Sequence, residues 1–153
     1  MSQVTALMTV FDETRALFHR LKLVVEQIHA EDHMTGGLRG VLRGLLAQGP
    51  QTVPQMARAR PTSRQHIQVL VNQLKQMGLV ELVENPAHKR SRLVSLTTAG
   101  KQRIEAMNRR ELELVEKLSV GISEKNLYAA ANTLTKVRRA FESQNWFELT
   151  GNH

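Results

Sequence analysis

Apolar residues along this chain recur three and four apart for most of its length, and one short stretch switches to alternation. Val10, Phe11, Leu17, Phe18, Leu21, Val24, Val25 and Ile28 fall on one face of a long amphipathic helix predicted from Val10 to Ile28. Arg15, Arg20, Lys22 and Glu26 mark its polar face. After a break at Glu31-Asp32-His33-Met34, Thr35 is placed to cap a second helix with Leu38, Val41, Leu42, Leu45 and Leu46 inside. Gly36, Gly37, Gly40 and Gly44 interrupt that helix, each costing up to about 1 kcal/mol of helix propensity relative to Ala. Close backbone packing or an adjacent pocket would support them. Gly49-Pro50 ends this helix, and Val53 to Arg58 forms a short third one before Ala59-Arg60-Pro61 turns the chain.

Thr62 or Ser63 then caps a fourth helix whose inward stripe is Ile67, Leu70, Val71 and Leu74, with Gly78 as its stop. The pattern next alternates over Leu79 to Glu84 and again over Arg92 to Thr97, which predicts two strands of a hairpin. Their connection, Asn85-Pro86-Ala87-His88-Lys89-Arg90-Ser91, holds no acid. A fifth helix is predicted from Thr97 or Thr98 to Gly121, burying Ile104, Met107, Leu114, Val115 and Leu118. A sixth follows a Ser123 cap, with Leu127, Ala130, Ala131, Leu134, Val137 and Phe141 inside and Trp146-Phe147 at its end. The expected fold class is therefore mainly α (α+β).

Charge changes this picture. The 153 residues carry a formal net charge of +7, and its distribution is uneven. Residues 1–34 have three basic and five acidic side chains, 35–103 have eleven and two, and 104–153 have seven and seven. The whole basic excess lies in the middle segment, where it suits a polyanion. With 41% hydrophobic residues the chain can bury a core, whereas 4% aromatics argue against a base-stacking platform for single strands. The absence of cysteine rules out disulfides, thiolate metal sites and thiol sensing. No window reaches the roughly 18 apolar residues of a membrane span. A secretory signal is also missing from Met1 to Val10, so a cytoplasmic, non-membrane protein is expected.

Two helices joined by a tight turn and followed by a hairpin with a cationic tip combine into a winged helix-turn-helix. A helix fits the major groove of B-DNA, the helix before it braces the backbone, and a hairpin beside it reaches the adjacent minor groove with a cation. A small α+β domain with a solvated face explains neither the charge ratio of the middle segment nor the loop, so double-stranded DNA is the favoured polyanion.

The residues that compose this lobe also carry a resemblance. Thr52-Val53-Pro54-Gln55-Met56-Ala57, the run from Thr62 to Leu74, Met77-Gly78-Leu79-Val80, Asn85-Pro86 with Lys89-Arg90-Ser91, and Val94 to Gly100, taken in that order, resemble the MarR (multiple antibiotic resistance regulator) family. The likeness covers roughly 35–103 at motif level, and the order of flanking helices extends it over the chain. It implies a homodimeric transcriptional regulator, usually a repressor, set on a palindromic site and often released by a small aromatic or phenolic acid. In that arrangement 1–34 and 104–153 form the helical dimerisation region and 35–103 the DNA-binding lobe.

With the apolar stripe of the fourth helix turned inward, Gln65, Gln68, Val69 and Asn72 point outward. Thr62, Ser63, Arg64 and His66 complete its N-terminal end, the part that reads bases. Gln pairs with adenine, Arg with guanine, and Val meets a thymine methyl. The resemblance places Arg90 in the minor groove. Lys89, Arg92, Arg58 and Arg60 are candidate phosphate contacts. The family commonly has an aspartate two residues before the wing arginine, and here that residue is His88. Protonation would add a cation to the wing, so DNA affinity is expected to rise as pH falls through about 6.5.

A carboxylate ligand lodged where the second helix meets the first and fifth has His29, His33, Arg39 and Arg43 as candidate partners. The His29/His33 pair, with Glu26 and Asp32 near in sequence, also suggests a zinc-responsive regulator of the same fold. Such a cluster at the end of an exposed helix reads as ordinary polar surface, so no metal or other cofactor is expected. A non-DNA-binding dimeric adaptor is the other alternative, and it would show no salt-dependent duplex binding. The chain has no Gly-x-Ser-x-Gly and no phosphate-binding glycine loop, and it is not expected to be an enzyme.

Overall fold

The computed structural model describes residues 2–151, which form two compact units, one reaching to Val115 and one starting at Glu116. In the first unit, Ser2 opens α1 (Gln3–Ile28) by accepting a hydrogen bond from the Thr5 amide at 3.3 Å. The helix begins at Gln3 rather than Val10 because a serine cap precedes Val4, Leu7 and Met8, which extend the same apolar spacing. A single 3-10 turn, Ala30–Asp32, leads to α2 (Gly36–Gln48), which Thr35 caps as expected.

The helix-turn-helix is set by two side-chain caps. At α3 (Val53–Ala59) Thr52 Oγ1 accepts from the Gln55 amide at 3.3 Å, and Gln55 Oε1 accepts from the Thr52 amide at 2.8 Å. This reciprocal pair satisfies two amides that the helix leaves free. At α4 (Arg64–Gln76) Ser63 Oγ accepts from the His66 amide at 3.0 Å, and Ile67, Leu70, Val71 and Leu74 are buried. The chain then turns at Gly78, with φ +72°, into β1 (Val80–Val83) and β2 (Leu93–Leu96). They pair antiparallel in the register Val80↔Leu96 to Val83↔Leu93. Gln51 bridges to Val94 and ties the α2–α3 connection to the base of this wing. Leu42, Ile67, Leu74, Val94 and Ile104 close the core of the lobe, the last from α5 (Thr98–Lys117). This is a winged helix-turn-helix in a mainly helical chain.

The glycines of α2 have separate explanations. A Cβ on Gly37 would press on the Leu70 methyls at 3.2 Å, and one on Gly40 would fall 2.2 Å from the Arg60 guanidinium. Among the described residues Gly44 has nothing within 4 Å of that position beyond its chain neighbours and its own helix backbone. Gly44→Ala is therefore expected to stabilise the protein by up to about 1 kcal/mol. Thermal unfolding should show this as a higher Tm, and an unchanged or lower Tm would contradict it.

Three expectations are corrected. α5 stops at Lys117 and not at Gly121, because Ser119 and Val120 are weak helix formers and Gly121 takes φ +63°. In the second unit Trp146 and Phe147 do not end α6 (Glu124–Phe141) but belong to α7 (Gln144–Thr150). Ser143 starts that helix by accepting from the Trp146 amide at 3.4 Å. Finally, Leu114, Val115, Leu118, Leu127, Ala130, Ala131, Leu134 and Phe141, expected inside, are exposed in the single chain, as are Leu17, Phe18 and Leu21 of α1. Helical spacing shows that a face is apolar without showing whether its own chain supplies the cover. Among the described residues no helix is long and apolar enough to cross a membrane.

Candidate nucleic-acid interface

The Ser63 cap fixes where α4 starts, and its buried stripe fixes which residues face out. Arg64, Gln65, His66, Gln68 and Val69 are all exposed, and the Gln68 amide donates to Asn72 Oδ1 at 2.9 Å on the same face. Thr62 lies in the turn, its amide bonded to Ala57 O at 3.1 Å. Arg64, Gln65 and Gln68 meet Arg90 and Arg92 of the wing along one groove of about 420 Å³, floored by Val53, Pro54, Leu82 and Val94. Two segments separated in sequence thus present three guanidiniums and two amides to one open surface.

The wing loop is held from within. Asn85 Oδ1 accepts from the Ala87 amide at 3.1 Å, and Asn85 Nδ2 donates to Ser91 O at 2.9 Å. The backbone of His88 bonds to Asn85 and Ser91, both at 3.1 Å. Lys89, Arg90 and Arg92 are exposed, and among the described residues no carboxylate lies within 4 Å of them. Arg58, on α3, is exposed as well. These positive charges are free to meet phosphate.

Arg60 and His66 turn toward a second concavity. There Phe18, Leu21 and Val25 of α1 face Arg39 of α2, Arg60 and His66, with Lys22 at the side, around a cleft of about 310 Å³. Arg60 crosses α2 over Gly40 and donates to Gly37 O at 3.4 Å, and partial removal of its guanidinium from water lowers its pKa from the usual arginine value. The apolar wall with cationic groups and no acid suits a small aromatic anion.

Behind this cleft lies an ionic cluster that local sequence does not reveal. Arg39 grips both oxygens of Glu111 on α5 through Nε and Nη2, and His29 Nε2 lies 2.8 Å from Glu111 Oε1. His29 is 1% exposed, which overturns its reading as an ordinary polar side chain at the end of an exposed helix. Its ring is covered because α5 packs over the end of α1, a contact spanning 82 positions in sequence. Burial alone would raise the Glu111 pKa, but hydrogen bonds and charge from Arg39 and His29 outweigh it, and the pKa falls below the usual glutamate value. Of the four expected ligand partners, Arg39 lines the cleft and His29 sits behind it. His33 and Arg43 are exposed and outside its lining. Lys22, Phe18 and Glu111 are additions that the spacing of residues did not single out. Among the described residues there is no group of three or more His, Cys, Asp or Glu that could hold a metal.

Comparison with known proteins agrees with this architecture. The MarR family profile matches residues 39–91, from α2 to the wing. An uncharacterized protein of Mycobacterium tuberculosis is 30% identical over 106 residues, 69% of this chain and 74% of that protein. The crystal structure of the MarR family transcription regulator SP03579 is 28% identical, with a TM-score of 0.78 over 92% of this chain and 93% of that one. BpsR of Bordetella bronchiseptica, whose DNA binding is regulated by 6-hydroxynicotinic acid, shares the fold at 21% identity and a TM-score of 0.71, over 83% and 91% of the two chains. With the winged lobe, its basic groove and these relatives in agreement, the chain belongs to the MarR family of DNA-binding transcriptional regulators.

Proposed function

We propose that this regulator is a homodimeric repressor that sits on a palindromic operator and is released by a small aromatic acid. The observation that carries the reading is the joint groove in which Arg64, Gln65 and Gln68 of α4 meet Arg90 and Arg92 of the wing. In this reading α4 enters the major groove, where Ser63, Arg64, Gln65 and Val69 reach base edges, while His66 faces the cleft. Arg90 enters the minor groove, and Lys89, Arg92 and Arg58 hold phosphates.

The exposed apolar faces of α1, α5 and α6 support a two-fold dimer in which 1–34 and 104–153 associate and 35–103 binds DNA. Two half-sites about 34–36 Å apart then make affinity sensitive to the spacing of the two α4 helices. The apolar, cationic cleft beside Arg39 and Arg60 supports the effector reading, and BpsR is a precedent within the fold.

The test is a binding titration with the duplex upstream of the protein's own gene, at several salt concentrations, with and without benzoate or 6-hydroxynicotinate. The expected result is a log–log salt slope of about −0.9 per phosphate contacted and weaker binding when the acid is present. A salt-independent or undetectable interaction would favour an adaptor, and binding that ignores the acids would remove the effector.

A further inference from the structure

We propose that Glu111 couples the cleft to α5: an anion in the cleft and the Glu111 carboxylate compete for the same guanidinium, that of Arg39. The inference rests on the effector reading and adds the route by which the ligand acts.

Arg39 belongs to two sites at once. It lines the cleft, and its Nε and Nη2 are committed to Glu111. The pair is secluded, with side chains 11% and 18% exposed, so charge there is weakly screened. Arg60 and Lys22, the other fixed cations of the cleft, have no carboxylate within 4 Å among the described residues, and Arg60 has only the carbonyl of Gly37. An incoming carboxylate therefore finds two uncommitted cations and one that is already neutralised. As it approaches Arg39 it places a second negative charge on a guanidinium that Glu111 occupies, and the two anions weaken each other.

This matters for α5 because Glu111 ties the helix by charge to α2 and the end of α1, in addition to the burial of Ile104 and Met107. Its carboxylate receives Arg39 from α2 and His29 from the end of α1. His29 is a weak substitute for a lost arginine, since its buried Nδ1 has no hydrogen-bond partner among the described residues. The remaining charged pair in the neighbourhood, Arg103 with Asp32 at 4.0 Å, is wider and more exposed. Drawing Arg39 toward the cleft thus loosens α5 on α1 and α2. Linkage makes the effect reciprocal: the factor by which the ligand weakens the Glu111 grip is the factor by which Glu111 weakens ligand binding.

Glu111→Gln tests the idea, because it keeps an acceptor for Arg39 and removes the competing charge. Calorimetry with benzoate is expected to show at least tenfold tighter binding than wild type, while neutral benzamide changes less than twofold. The same variant should also lose most of the benzoate effect on DNA binding, giving tighter ligand binding with weaker release. A merely structural role would not separate benzoate from benzamide. Equal benzoate affinity in folded wild type and variant overturns the competition and leaves the effector reading intact. Failure of both benzoate and 6-hydroxynicotinate to bind wild type overturns the effector reading itself and this proposal with it. Should the variant not fold, wild type still answers the question. The Arg39 Nε–H resonance, assigned by its loss in Arg39→Lys, should lose protection from exchange when benzoate saturates, and unchanged protection overturns the proposal.

Discussion

Gly100→Ala is expected to destabilise the winged lobe by at least about 3 kcal/mol, because a methyl there overlaps backbone that cannot step aside. A Cβ on Gly100 would lie 1.9 Å from Leu79 O and 2.8 Å from Leu79 C. That carbonyl accepts from the Thr97 amide at 3.1 Å, and the Leu79 amide is bonded to Leu74 O at 2.9 Å. Thr97 Oγ1 donates to Gly78 O at 2.7 Å and accepts from the Gly100 amide at 3.0 Å. Relieving the overlap means lifting the first turn of α5 off the end of α4 and the start of β1, which breaks this group of bonds together. Against a total stability of about 5–15 kcal/mol the loss is large. Thermal unfolding should show a fall in Tm on the order of 10 °C, or the variant should fail to accumulate in soluble form. Gly44→Ala is the internal control: the same chemical change in a helix, with the opposite expected sign because its surroundings are open. A Gly100→Ala protein as stable as wild type would show that the α5 start is not held against Leu79.

The contrast between these two glycines marks how far the sequence could be read. Thr35, Ser63 and Gly78 are local signals, each acting on the next few residues, and the helices and hairpin they delimit were legible from them, whereas the Thr52 cap of α3 emerged only in the fold. The excess of glycine in α2 was legible as an anomaly, but its cause was not, since Arg60 lies over Gly40 from the far side of the helix-turn-helix turn. His29 had a local explanation as polar surface at a helix end, and Arg39 was read only as a candidate partner for a ligand. Their common partner Glu111 stands 82 and 72 positions away, where no spacing rule connects them. The apolar spacing of α6 was equally visible, yet it predicted burial without saying in what. Residues that act on their neighbours were read well, and residues that act across the fold needed the fold.

Arg90 is the residue on which the DNA reading turns, and Arg90→Ala is expected to weaken operator binding by roughly tenfold to a hundredfold, the cost of about 1–3 kcal/mol for a groove contact. The loop delivers this side chain in a fixed place because Asn85 ties Ala87 to Ser91 across it, so binding need not order the loop first. No acid within 4 Å among the described residues competes for the guanidinium. Its charge alone does not distinguish it from Lys89, its exposed neighbour on the wing. The discriminating comparison is therefore among variants. Lys89→Ala should weaken all duplexes evenly and reduce the salt slope by about one. Arg90→Lys should keep the slope and still lose affinity, because an ammonium is more strongly hydrated than a guanidinium and gives up more on entering a narrow groove. If Arg90→Lys binds like wild type, the residue serves as a phosphate contact. If Arg90→Ala loses less than twofold, the wing does not reach the DNA, and affinity must reside in α4, on Arg64, Gln65 and Gln68 of the same groove.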